Sequence, residues 1–194
     1  MRKPNQHNSL YAVGSHLTTR LLWVERSQQE LLMKPTILAL DLEGTLISNA
    51  VSQIPRPGLY RFLEDVRSQF EELVLFTTVP EALARSIAGL LATEGSVPVW
   101  FSGLRYIHWS GKTKDLSYVS PHLGDALLLD DHGPYVHDGQ ESLWVEIPLF
   151  GSPYSADDDG LQIATARLTG STPKSRTVVK GLRTSGLAWR PFVA

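Results

Sequence analysis

Between residues 35 and 170 the apolar and polar positions fall into short runs that switch between two periods. "TILALDL" (36–42) is a continuous apolar run of strand length, as in a strand covered on both faces. Behind it, in "RPGLYRFLEDVRSQF", Leu59, Phe62, Leu63, Val66 and Phe70 recur at helical spacing after a Pro-Gly start. "ELVLFTT" predicts a second buried strand. "PEALARSIAGLLATEG" predicts a second helix, with Pro80 at its start and Gly95 near its end. "VPVWF" (97–101) predicts a third strand and "KDLSYV" a short helical turn. "DALLLDDHG" and "SLWVEIPLF" predict strands four and five. "SADDDGLQIATARL" predicts a last helix, with Ser155 as its cap and acids in its first turn. Strands alternating with helices imply βαβ units, hence an α/β fold with a doubly wound, mostly parallel sheet.

The flanks lack this pattern. Residues 1–34 open on a polar stretch, "MRKPNQHNSLYAVGSH", and then allow one amphipathic helix carrying Leu17, Leu21, Val24, Leu31 and Leu32 before Pro35 ends it. Residues 171–194 hold Lys174, Arg176, Lys180, Arg183 and Arg190 and no acid, in a Ser-, Thr-, Pro- and Gly-rich context that predicts little fixed structure. The expected organisation is therefore an appendage (1–34), one domain (35–170) and a basic tail (171–194).

Composition removes several function classes. The chain has 194 residues and a formal net charge of −2, so no global basic field argues for a nucleic acid or a membrane surface. It has no cysteine, which excludes disulfides, thiolate zinc sites and cysteine nucleophiles. No run is long enough to span a bilayer, and no apolar stretch follows the basic start as a signal peptide would require. The expected location is cytoplasmic, with no membrane partner.

Chemistry enters at the strand ends, where ligands bind in open α/β sheets. The first strand ends in Asp41 and Glu43, the second in Thr77 and Thr78, and the fourth in Asp130 and Asp131; Lys112 and Lys114 stand just before the fourth. Several carboxylates in one place repel one another, so a cation is expected among them. Oxygen donors without His or Cys favour Mg²⁺. A divalent ion beside a lysine suits a phosphoryl group, one carboxylate can attack phosphorus, and a second can carry the proton. The histidines, among them His108 and His132, and the aromatic residues Trp100, Tyr106 and Trp109 have weaker claims: surface or core for most, an aromatic rim for a peptide at best.

In order, "DLEGTL", "LFTT", "KTKDLS" and "LLLDD" resemble the four motifs of the haloacid dehalogenase superfamily. "RPGLYRFLEDV", "FEELVLFTT" and "KDLSYVSPHLGDALLLDDHGPYV" are similar to one branch of it, the RNA polymerase II C-terminal-domain phosphatases and the NLI-interacting-factor-like group. The resemblance covers about residues 36–168. It implies a Rossmann-like sheet and a Mg²⁺-dependent phosphatase working through an aspartyl-phosphate. Asp41 would be nucleophile and metal ligand. Glu43 would be the acid/base, with its backbone carbonyl on the metal. Thr77 and Lys114 would bind phosphate, with Lys112 the weaker alternative to Lys114. Asp130 and Asp131 would complete the metal site, and which of the two touches the ion stays open. The text between motifs leaves no room for a large cap domain. An uncapped site favours a phosphoprotein or another bulky phosphomonoester as substrate. Glu43 departs from the pattern, which has Asp there, and this opens a second expectation: a weak or inactive phosphate-binding interaction module. A third is a nucleic-acid 3′-phosphatase that uses the basic tail.

Overall fold

A computed structural model of the chain describes residues 34–170. The helix expected within residues 17–32 and the basic tail lie outside the described residues. Five parallel strands form one sheet in the order β3-β2-β1-β4-β5: β1 (Ile37–Leu40), β2 (Glu72–Leu75), β3 (Arg105–Tyr106), β4 (Ala126–Asp130) and β5 (Trp144–Glu146). The chain builds outward from β1 to β2 and β3, then crosses back to β4 on the other side of β1. The strand order therefore reverses between β1 and β4, the position where open α/β sheets hold their ligands.

The α/β expectation is met, and the layers are unequal. Alternate residues of β1 serve opposite faces, with Leu38 and Leu40 on one and Ala39 on the other. The first face takes the buried residues of all three α-helices: α1 (Leu59–Arg67), α2 (Glu81–Thr93) and α3 (Gly160–Leu168). In α1 these are Leu59, Phe62, Leu63 and Val66, the stripe that the sequence spacing predicts. The second face is covered by Ile107, the 3-10 turn Leu116–Tyr118 and Val119, with Trp109 packed against them. No element large enough to form a cap stands between β1 and α1 or between β2 and β3.

Two expected elements are corrected. "VPVWF" is not the third strand: Val99–Gly103 is a 3-10 helix and the strand is Arg105–Tyr106. Val97 and Phe101, four positions apart, both enter the helical core, while Val99 is 79% exposed, so the run has the spacing of a helical turn. The strand itself sits at the sheet edge, paired in parallel with β2, and Arg105 Nε lies 2.7 Å from Glu72 Oε1. The last helix starts at Gly160, after the acids and not before them. Ser155 accepts the Asp157 amide in a turn and does not cap the helix, whereas Asp158, just outside the first turn, binds Arg56 and also accepts the Gly160 amide at 3.1 Å.

Candidate active site

Register alone brings the key acids together. Leu40 pairs with Leu129, and the Asp41 amide donates to the Leu129 carbonyl at 3.0 Å. Asp41, just past the end of β1, thus lies beside Asp130, the last residue of β4. Two indoles fix the neighbouring strand ends: Trp144 Nε1 donates to the Asp130 carbonyl and Trp109 Nε1 to that of Thr77.

Lys114 fills the space between the two acids. It is 1% exposed, and its Nζ donates to Asp41 Oδ1 at 2.6 Å and to Asp130 Oδ2 at 2.5 Å. Burial pulls the ammonium pKa down, but the two carboxylates outweigh it and hold Lys114 above its usual range. Burial has the opposite effect on Asp41, raising its pKa to about 6 against the pull of Lys114, with repulsion from Asp130 adding to the rise. Lys112, the weaker lysine candidate, is exposed.

Asp131 joins from the other side. One oxygen each of Asp41, Asp130 and Asp131 lie within 4.8 Å of one another. The Thr45 hydroxyl donates to Asp131 Oδ1 at 2.9 Å and accepts the Asp131 amide at 3.2 Å. Burial raises the Asp131 carboxyl pKa, with the Thr45 hydrogen bond working against it. Gly44 makes the close approach available. Its φ is +73°, and a Cβ there would meet both Asp131 carboxylate oxygens at 2.7 Å.

The remaining expected residues stand further from this centre. Glu43 lines a cleft of about 210 Å³ with Asp41, Thr78, Asp131, His132 and Tyr135, but its Oε1 accepts the Ala50 amide at 2.6 Å. Thr77 is buried and accepts the Val79 amide through Oγ1. It lines an adjoining cleft of about 260 Å³ with Thr78, Tyr106, His108 and Trp109. The exposed Thr78 is shared by both clefts. Trp100 lies elsewhere, hydrogen bonded to Glu64 of α1. His108 pairs with Glu81 on the surface.

The sequence profile of the NLI interacting factor-like phosphatases matches residues 36–178. The chain belongs to this family. No curated protein sequence matches it. Membership makes the fold a haloacid-dehalogenase-like α/β domain and supports a phosphatase hydrolase acting on a phosphorylated substrate. The match runs from β1 past α3 and includes all of the acids and the lysine described above. Among the described residues no helix is long and apolar enough to cross a membrane.

Several residues that shape this site carry no signal of their own in the sequence. Thr45 reads there as part of a turn, yet it holds Asp131. Arg56 reads as the start of a helix, yet it is buried against the Gly44 and Thr45 carbonyls. Gln140, 25 positions from Asp115, braces the lysine turn by donating to Asp115 and accepting the Leu116 amide.

Proposed function

We propose that the chain is a Mg²⁺-dependent phosphatase that hydrolyses a phosphomonoester through an aspartyl-phosphate on Asp41. The observation that supports this best is the buried Lys114 ammonium held between Asp41 and Asp130, with Asp131 alongside. When ionised, three carboxylates outnumber one ammonium, and their donors are all hard oxygens, which fits a Mg²⁺ ion. Asp41 and Asp131 face the cleft, whereas Asp130 has one oxygen on Lys114 and the other on the His132 amide. Asp41, Asp131 and the Glu43 carbonyl are therefore the groups assigned to the ion, with Asp130 holding the lysine. The bound ion would supply positive charge against the phosphoryl oxygens.

The chain's own residues do the rest. An Asp41 oxygen attacks phosphorus while the Glu43 carboxyl gives its proton to the leaving oxygen, and the ester P–O bond breaks. The Glu43 carboxylate then takes a proton from water. That water attacks phosphorus, the bond to Asp41 breaks, and inorganic phosphate leaves. Lys114 remains protonated and draws the phosphoryl oxygens toward itself, and Thr78 lines the same cleft as Asp41, with Thr77 in the adjoining one. The uncapped cleft and its neighbour sharing Thr78 suit a phosphoprotein better than a small metabolite.

One observation favours a second reading, a phosphate-binding module without turnover: the Glu43 carboxylate is occupied by the Ala50 amide. Hydrolysis of p-nitrophenyl phosphate and of a phosphopeptide panel separates the two. Turnover should require Mg²⁺, stop with EDTA and be lost in Asp41→Asn. Wild-type protein no more active than Asp41→Asn across the panel would rule out the phosphatase.

A further inference from the structure

We propose that Arg56 and Asp158 form a clasp that positions Thr45, and through it the Asp131 carboxylate, for the metal site. The inference rests on the phosphatase reading of the Asp41 cluster. Arg56 is a positioning residue in it, since its side chain reaches none of the reacting groups.

The guanidinium is buried and its five N–H groups meet five acceptors. Nε donates to Asp158 Oδ1 at 2.6 Å. Nη2 donates to Asp158 Oδ2 at 3.1 Å and to the Pro148 carbonyl at 2.8 Å. Nη1 donates to the Thr45 carbonyl at 3.1 Å and, more weakly, to that of Gly44 at 3.4 Å. One side chain thereby ties together the loop after β1, the exit of β5 and the turn before α3. The Phe150 ring lies 5.3 Å from the guanidinium carbon, and the Phe150 amide donates to the Gly44 carbonyl at 2.7 Å. Gly160 leaves room for the clasp, because a Cβ there would lie 1.9 Å from Arg56 Nη2.

The link to the metal site is specific to one carboxylate. Asp41 and Asp130 are held by Lys114. Among the described residues the Asp131 carboxylate accepts its one side-chain hydrogen bond from Thr45, whose hydroxyl also receives the Asp131 amide. The place of Asp131 therefore follows the place of the Thr45 backbone, whose carbonyl is held by Arg56. Loosening the clasp should leave the lysine and two acids in place and let the third drift. Loss of partners that orient metal ligands typically weakens metal affinity about 10–100-fold.

The test compares the full-length wild type with Asp158→Asn, Asp158→Glu and Arg56→Lys. Arg56→Ala is avoided because it leaves buried carbonyls without donors. In the metal-free protein, Asp158→Asn should speed amide exchange at residues 44–48 and at Asp131 at least tenfold, with β1 and β2 unchanged. Calorimetric Mg²⁺ affinity should fall about tenfold. The kcat for p-nitrophenyl phosphate should fall at limiting Mg²⁺ and recover at high Mg²⁺, with KM unchanged. Asp158→Glu, which keeps the carboxylate, should restore most of each readout, and Arg56→Lys, which loses the fork, should resemble Asp158→Asn. Wild-type exchange at residues 44–48 in folded Asp158→Asn would overturn the proposal, as would exchange raised evenly across the sheet. If the wild type neither binds Mg²⁺ nor hydrolyses phosphoesters, the phosphatase reading falls by itself. The local exchange pattern then still decides whether the clasp holds Thr45 and Asp131.

Discussion

Glu43 lines the Asp41 cleft with one of its oxygens already engaged. Its Oε1 accepts the Ala50 amide at 2.6 Å, and a turn of the side chain that carries this oxygen to a leaving group gives up that bond. A hydrogen bond to a charged acceptor contributes about 1.5–3 kcal/mol, so releasing it costs roughly ten- to a hundredfold in the population ready to react. An aspartate is one methylene shorter and loses its hold on that amide. We expect Glu43→Asp to raise kcat about tenfold on p-nitrophenyl phosphate, and Glu43→Gln to lower it about 10²–10⁴-fold. A slower Glu43→Asp would mean a site built around the longer acid. At this scale the sequence reveals the groups that end strands: Asp41 and Asp130 follow from apolar runs that stop on them, because parallel register carries strand ends to one edge. Arg56 and Asp158 could not be paired in the same way. They are 102 positions apart, and neither stands at the end of a sheet strand.

The turn that presents Lys114 is the element on which the site most depends, and it is a single 3-10 turn. Asp115 caps it, its Oδ1 accepting the Ser117 amide at 2.9 Å and Gln140 Nε2 at 2.7 Å. The backbone hydrogen bond from Ser117 is the main reason that the Asp115 carboxyl lies below its usual range. A depressed folded-state pKa means stability that is present above the unfolded value of about 3.9 and lost as pH falls through the folded value. Asp115→Ala should therefore cost about 1 kcal/mol in urea unfolding at pH 7. The gap to wild type should narrow below about pH 4; a gap that persists at pH 3 would refute the charge-based cap. Elements like this are legible because Asp before a short apolar turn is a local signal. α1 is legible for a similar reason, since Leu59, Phe62, Leu63 and Val66 keep helical spacing. β3 is not. A two-residue edge strand carries no period, and its short backbone ladder to β2 is supplemented by Arg105 meeting Glu72. The start of α3 is misplaced for a related reason, as Asp158 is tied to a distant arginine before the helix begins, and its Oδ1 accepts the first helical amide, that of Gly160, from outside the helix.

Among the described residues of the molecule, buried charge gathers at the switch point between β1 and β4. There three carboxylates stand against one lysine. Burial, more than any partner, raises Asp41 from 3.8 to about 6. A group whose folded pKa exceeds its unfolded one stabilises fully below the unfolded value, and that stability is lost as pH rises through the folded value. The window here is about pH 4 to 6. A bound Mg²⁺ ion would reverse this, because it favours the ionised carboxylates and stabilises the folded state by mass action. Thermal unfolding in EDTA should therefore show a lower midpoint at pH 7 than at pH 5. Adding Mg²⁺ should raise the midpoint more at pH 7 than at pH 5, where Asp41 holds its proton. Asp41→Asn should flatten the EDTA profile over the same window, since asparagine does not titrate. Equal Mg²⁺ shifts at the two pH values would mean that the ion does not depend on the Asp41 charge. The metal would then have to be assigned to Asp131 and its neighbours alone.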